Sequence, residues 1–196
     1  MKHWMGNILA AVDLETSGFQ PKYHEVLQVA VVLLTEDFEP TGQSFYANVA
    51  PLYPERADPI ATGVHGLDPW ELAKTAQSAE DVADNLLDWF NKIERPDDRC
   101  LLPLAHNWAF EASFLKAWLG ATLMGKLFHG HARDGMLFAA SLNDRAAYAG
   151  HEIPFPTLKL GKLCEQFGIE HAQSHDALAD CYAEAKVYKR LLTYDR

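Results

Sequence analysis

Four short stretches place acids or histidines where apolar sequence would otherwise run on. The run "ILAAVDLETSGF" opens as a buried strand and then sets Asp13 and Glu15 two positions apart. Residues i and i+2 of a strand share a face. Two like charges side by side repel, and partial burial makes that worse. Either a cation sits between them or one of them is exposed. "AHNWAFEASFL" puts Glu111 in the first turn of a helix, "SHDALAD" puts His175 and Asp180 at the start of another, and "VHG" puts His65 in a loop.

Taken singly, each has a structural reading. Asp176 and Asp180 suit the positive end of a helix dipole, as Glu111 does. Asp13 or Glu15 could pair with Lys or Arg at a strand end, and a histidine beside a helix start is commonly incidental. Taken together they suggest other chemistry. Hard divalent cations such as Mg²⁺ take oxygen ligands, typically a few carboxylates with water and substrate phosphate. Two such ions about 3.5–4 Å apart can hold the attacking and leaving oxygens of a phosphodiester displacement. Asp13, Glu15, Glu111 and Asp180 could form that cage, and His175 could take the proton from water. No Cys/His spacing favours zinc.

The elements that must position these groups follow from periodicity. Residues 8–14, 25–34 and 43–50 read as three strands, and the short turn-rich links between them favour an antiparallel meander. A Pro-rich loop covers 50–68. "SAEDVADNLLDWFNKI" then shows a helical stripe of Val82, Leu86, Trp89, Phe90 and Ile93, with Ser78 and Asp81 resembling a capping box. "CLLPLA" (100–105) is a short buried strand. Helices are expected over 110–123, over 157–167 with Gly168 as C-cap, and over 177–192. The last helix would bury Leu178, Cys181, Ala185, Tyr188 and Leu192. Strands first, then helices alternating with strand, indicate an α/β or α+β domain with a mixed sheet.

A chain of 196 residues suits one domain, which can bury roughly 70% of its unfolded surface. Its 48% hydrophobic and 22% charged content is ordinary for a globular protein. No apolar run reaches the ~20 residues of a membrane span, so no membrane partner is expected. "MKHWMGNILAAVDLE" is not a signal peptide, because its apolar run is short and ends in acid. Cys100, Cys164 and Cys181 read as reduced thiols of a cytoplasmic protein. A net charge of −10 with no basic block argues against gripping long duplex through its phosphates. An enzyme that holds one end of a strand through metal ions is still allowed.

The sequence resembles the DEDDh 3′–5′ exonucleases, a family that includes the proofreading subunit of bacterial replicative polymerases and oligoribonuclease. "VDLETSGF" is similar to the family's first motif, "AHNWAFEASFL" to its second, usually HN-x-x-FD-x-x-FL, and "HDALAD" to its third. "VHGLD" resembles the HG element between them. The likeness runs in order over nearly the whole chain, residues 1–196, as one exonuclease domain. It implies a ribonuclease H-like α/β fold: a five-stranded mixed sheet, its first three strands antiparallel, flanked by α-helices.

It also implies roles. Asp13 would bridge two divalent ions, Mg²⁺ or Mn²⁺. Glu15 and Asp180 would ligate the one nearer the attacking water, and His175 would be the general base. Thr16, Gly18 and Phe19 would hold the terminal nucleotide, with His65, Asn107 and Phe114 as further substrate contacts. The implied reaction is hydrolysis at single-stranded 3′ ends to nucleoside 5′-monophosphates, DNA slightly before RNA. A polymerase or a second copy of the chain would be the partner.

One departure stands out. The family's third acid is Asp, but position 111 is Glu, whose extra methylene moves the carboxylate out by ~1.5 Å. Mg²⁺ demands near-ideal octahedral geometry. The alternative is therefore a weak or inactive 3′-end-binding module. A plain scaffold with a chance acidic cluster is the third reading. Asp134 reads as structural and is the reserve ligand if Glu111 points away.

Overall fold

A computed structural model describes residues 6–95, 99–172 and 174–195, so the first five residues of the N-terminus lie outside it. The sheet is built around β1 (Ile8–Thr16) and β2 (Val26–Leu34), which pair antiparallel, and every residue of β2 is buried. β3 (Pro40–Ala50) completes the meander on the far side of β2, and β5 (Leu101–Ala105) runs parallel to β1 on the other side. Two short strands extend the edges: β4 (Gln77–Ser78) beside β3 and β6 (Arg133–Asp134) beside β5. The order is β4-β3-β2-β1-β5-β6, six strands rather than the expected five. The additional strand, β4, is two exposed polar residues, too short to carry an alternation.

Strand alternation sorts β1 into two rows. Ala10, Val12 and Leu14 pack with Val82, Leu86 and Phe90 of α3 (Ala79–Lys92) and with Phe114 and Leu115 of α4 (Trp108–Leu127). Leu9 and Ala11 face the other way, against Ala177, Cys181 and Ala185 of α7 (Ala177–Leu192), alongside Leu102 and Leu104 of β5. Asp13 and Glu15 continue that second row. A register shift between Glu15 and Thr16 then ends the regular pairing.

The helices depart from expectation in instructive ways. The Pro-rich segment contains a 3-10 turn (Pro54–Arg56), α1 (Pro59–His65) and the run-in to α2 (Pro69–Thr75), so His65 ends a helix instead of lying in a loop. Each of these two helices starts with Asp-Pro. The Asp58 and Asp68 side chains accept N–H bonds from Ile60 and Trp70, and proline takes the first turn, where no N–H is needed. α4 is longer than 110–123, because helix resumes after a break at Gly120 (φ 72°). α6 (Leu160–Phe167) starts three residues later than expected; the Leu158 carbonyl just before it accepts from His106.

α5 (Gly135–Tyr148) went unread: apolar residues surround its first turns, leaving no clear stripe. In α7 Leu191, not Leu192, turns inward; Leu192 is 44% exposed. The three cysteines are free thiols, as expected. No helix among the described residues is long and apolar enough to cross a membrane.

Leu104 is fully buried where β5 meets α7. Leu104→Ala is expected to cost about 2–5 kcal/mol in urea denaturation, by lost transfer energy plus a cavity. A loss below about 1 kcal/mol would mean that this face is not packed as described.

Candidate functional site

Three elements bring the acids together. β1 supplies half-buried Asp13 and buried Glu15; the first turn of α4 supplies buried Glu111; the first turn of α7 supplies buried Asp180. Asp180 is one helical turn before Glu184, another buried acid that the sequence reading did not single out. Among the described residues, no Lys or Arg pairs with Asp13, Glu15, Glu111 or Asp180. The electrostatic consequence is large. Burial, then the charges of Glu111, Asp180, Glu15 and Glu184, hold the Asp13 carboxyl well above its usual value. Burial, then Asp180 and Asp176, push Glu15 up to about 8. Burial also raises Glu111, its own backbone N–H opposing this while the charges of Asp134, Glu184 and Glu15 add to it.

The donor set fits a hard divalent cation. All four motif acids offer oxygen, and the Oε2 of Glu111 is buried without a hydrogen-bond partner. One potential ligand atom from each of Glu15, His175 and Asp180 lies within 4.8 Å of the others. Glu111 lies outside that group of three, but its charge acts on Asp13 and that of Glu15 acts on it. Asp134, the reserve, instead accepts from Asn107 N and Trp108 N at the start of α4 and caps α5 through Leu137 N, a structural role.

His175 is exposed, in a left-handed conformation (φ 67°) just before α7, and its backbone N–H points at both Asp180 oxygens at 3.3 Å. Asp180 also accepts from His171 Nε2 at 2.5 Å. The sequence reading passed over His171, although "EHAQSHDALAD" shows two histidines before one helix.

A second missed residue, Gln28, aligns α7 with the sheet. It lies opposite Glu15 in the β1–β2 register. Its Oε1 accepts from Ala177 N, and its Nε2 donates to Tyr46 Oη and Asn48 Oδ1. Tyr46 in turn donates to Asp176, the N-cap of α7, at 2.8 Å. Burial and the Asp176 bond push Tyr46 up to about 12, so it stays a donor. A buried glutamine inside "VLQVAVVLL" was the available signal.

The expected substrate contacts fall into two groups. Thr16 Oγ1 donates to the Gly18 carbonyl, Phe19 is 57% exposed, and His65 Nε2–H donates to the Thr16 carbonyl. Since His65 Nδ1 accepts from Leu67 N, that ring is neutral, and burial keeps its pKa low despite the Thr16 bond. Gly18 lies against the His24 ring, where a Cβ would come within 2.5 Å, so only glycine fits the turn. Asn107 (φ 88°) begins α4, and Phe114 is a core residue packed on Phe110.

Behind Glu111, His106 Nδ1 faces Glu184 Oε2 at 3.0 Å while Nε2–H donates to Leu158 O at 2.6 Å. Both ring nitrogens meet acceptors. Burial alone would lower the His106 pKa, but Glu184 and the Leu158 carbonyl raise it.

Comparisons with known proteins bear on the family and the fold. The family model described as "Exonuclease" (RNase_T) matches residues 10–188. A "Ribonuclease T" of Shewanella sp. (strain W3-18-1) is 27% identical over 197 residues, covering 96% of this chain and 83% of its own. The fold is similar to E. coli Exonuclease I in complex with a dT13 oligonucleotide, with TM-score 0.70 and 20% identity. That match covers 95% of this chain but 41% of Exonuclease I, so the chain spans about two-fifths of that protein's length. A zinc-bound E. coli ExoI–ssDNA complex is similar at TM-score 0.69 and 21% identity, covering 94% and 40% of the two chains.

The raised carboxyl groups set a pH dependence. Glu15 holds its proton in the folded state up to about 8, whereas the unfolded chain releases it near 4.5. The folded state then binds more protons, so metal-free stability falls as pH rises through that window. The melting temperature without metal is expected to be higher at pH 5 than at pH 8. Mn²⁺ should raise it more at pH 8, because the cation binds the deprotonated acids. A metal-free melting temperature that climbs from pH 5 to 8 would contradict the uncompensated cluster.

Proposed function

The chain belongs to the exonuclease family of hydrolases, and from that premise we propose that it trims single-stranded nucleic acid from the 3′ end to nucleoside 5′-monophosphates. The observation that carries this reading is the gathering of half-buried Asp13 with buried Glu15, Glu111 and Asp180, without Lys or Arg partners among the described residues, Glu15 and Asp180 lying beside His175. Residues 1–196 are read as one exonuclease domain of a cytoplasmic protein.

In the proposed reaction, His175 takes a proton from water while the water oxygen attacks the phosphorus of the last phosphodiester. A new P–O bond forms and the bond to the 3′ oxygen of the preceding nucleotide breaks. That oxygen ends as a hydroxyl on the shortened strand, and the released nucleotide keeps the 5′-phosphate. Exposure of His175 gives it access to water, and the bonds from its backbone to Asp180 hold the turn that carries it. Phe19 would stack on the terminal base, while His65, fixed as the neutral tautomer, braces the Thr16 carbonyl beside it.

Asp13, Glu15, Glu111 and Asp180 would hold two divalent ions, Mg²⁺ or Mn²⁺. Once bound, these would supply positive charge to the phosphate and make water a better nucleophile. The longer Glu111 side chain favours Mn²⁺, the less exacting ion.

The relatives named above bear the words ribonuclease and single-stranded DNA, and both sugars are therefore read as substrates, DNA slightly favoured. The second reading, a 3′-end-binding module, rests on Glu111 alone.

The test is a 5′-labelled single-stranded DNA and the matching RNA incubated in Mn²⁺, Mg²⁺ or EDTA. A ladder shortening from the 3′ end in metal, absent in EDTA and with Asp13→Asn, is expected. His175→Ala should lose about 10²–10⁴-fold in turnover while keeping its melting temperature. Intact oligomers in every metal, bound by a folded protein, would select the binding module.

A further inference from the structure

A cleft of about 330 Å³ opens beside the Thr16–Phe19 turn, between the β1–β2 loop and the segment that follows β3. It falls in the range of small-molecule sites, about 300–1,000 Å³. Phe114 and Trp118, both on α4, line it. These lie three and seven residues after Glu111, on the same helix face, about 4.5 and 10.5 Å along the axis. Its rim is aromatic and cationic. The Arg56 guanidinium lies over the Tyr53 ring at 3.7 Å and near the Tyr23 ring at 5.1 Å, and Lys22 stands beside them.

Arg56 and Lys22 pair with no carboxylate among the described residues, although the chain carries a net charge of −10. Tyr23 and Tyr53 are 50% and 43% exposed, so ring area is left over for a ligand. The cleft is also prebuilt. The Glu25 carboxylate accepts from Leu52 N and Tyr53 N, both at 2.9 Å, and clamps the two rims together. Glu25 N donates to Ser17 Oγ, and Asp58 N donates to the Ser17 carbonyl, which ties the cleft to the active-site turn. Trp118 Nε1–H donates to the Ala79 carbonyl and is fixed in place.

We propose that this cleft binds a nucleotide of the substrate strand upstream of the cleaved linkage, its base stacked among Tyr23, Tyr53 and Trp118 and its phosphate held by Arg56 and Lys22. The inference rests on the exonuclease reading above. Cations without a carboxylate partner beside half-exposed rings match the mixed stacking and phosphate chemistry of a single strand. An apolar peptide segment would leave both cations unused. A strand whose 3′ end reaches Glu111 lies within one or two helical turns of the cleft. Binding here would give preference for oligomers over dinucleotides without reading sequence, since every base offers a π-face.

The test compares a 5′-labelled dT oligomer with the p-nitrophenyl ester of thymidine 5′-monophosphate, which has no upstream nucleotide. Both are assayed in Mn²⁺ with the full chain. Arg56→Gln is expected to lower kcat/KM for the oligomer about tenfold and to leave the ester rate unchanged. The dependence of the oligomer KM on salt should become less steep by about one in slope. Arg56→Lys keeps the charge and loses the stacked plane, so it should retain the wild-type salt slope with a smaller loss. An active wild type whose Arg56→Gln variant matches it on the oligomer would overturn the proposal, as would equal losses on oligomer and ester. A wild type inert on both substrates would overturn the exonuclease reading and this one with it.

Discussion

Carboxylates gathered in a low-dielectric site repel one another, and here that repulsion is left standing. Asp13, Glu15, Glu111 and Asp180 come from three elements that the fold crosses at one point, with Glu184 a turn further along α7. No guanidinium or ammonium group among the described residues neutralises them. The core packing of α4 and α7 on opposite faces of β1 fixes the positions, so the acids cannot move apart to relieve the strain. Folding energy from burying two apolar faces offsets the cost of the cluster. A cation removes the cost, which is why a site of this type couples binding to stability.

Polar groups one layer out make the placement specific. Gln28 is buried in the centre of an apolar strand because it serves three partners at once, and through Tyr46 and Asp176 it aligns the start of α7 with β1. Asp134 does the equivalent for α4 by accepting its first two N–H groups. His106 lies against Glu184, which keeps one buried acid paired. Each is a buried polar group whose loss leaves its partners unsatisfied, so their side chains are as constrained as those of the acids.

Much of this was legible in the sequence, and the gaps have physical reasons. The three-strand meander, the strand at Leu101–Ala105 and the final helix followed from periodicity, because apolar burial alone shapes them. α5 was missed because its first turns are apolar on all sides, and β4 because two polar residues carry no pattern. α1 and α2 were hidden by the prolines, although Asp-Pro at each start was a readable cap. Of the five residues proposed for chemistry, Glu15, His175 and Asp180 offer ligand atoms within 4.8 Å of one another, while Asp13 and Glu111 act on the others through their charges. His171, Gln28 and Glu184 were not found, because their partners lie on other elements. Phe114, expected as a substrate contact, is a core residue that also lines the cleft beside the Thr16–Phe19 turn.

The most direct test of the account is calorimetric titration of Mn²⁺ into the metal-free protein at pH 7, repeated in two buffers of different ionisation enthalpy. Carboxyl groups held protonated by burial and by one another release protons when the cation enters, so the apparent heats should differ between buffers by a net proton release. Asp13→Asn should abolish most of that release. Mn²⁺ binding with no buffer dependence would contradict the claim that the cluster is uncompensated and partly protonated, and no binding at all would contradict the metal site itself.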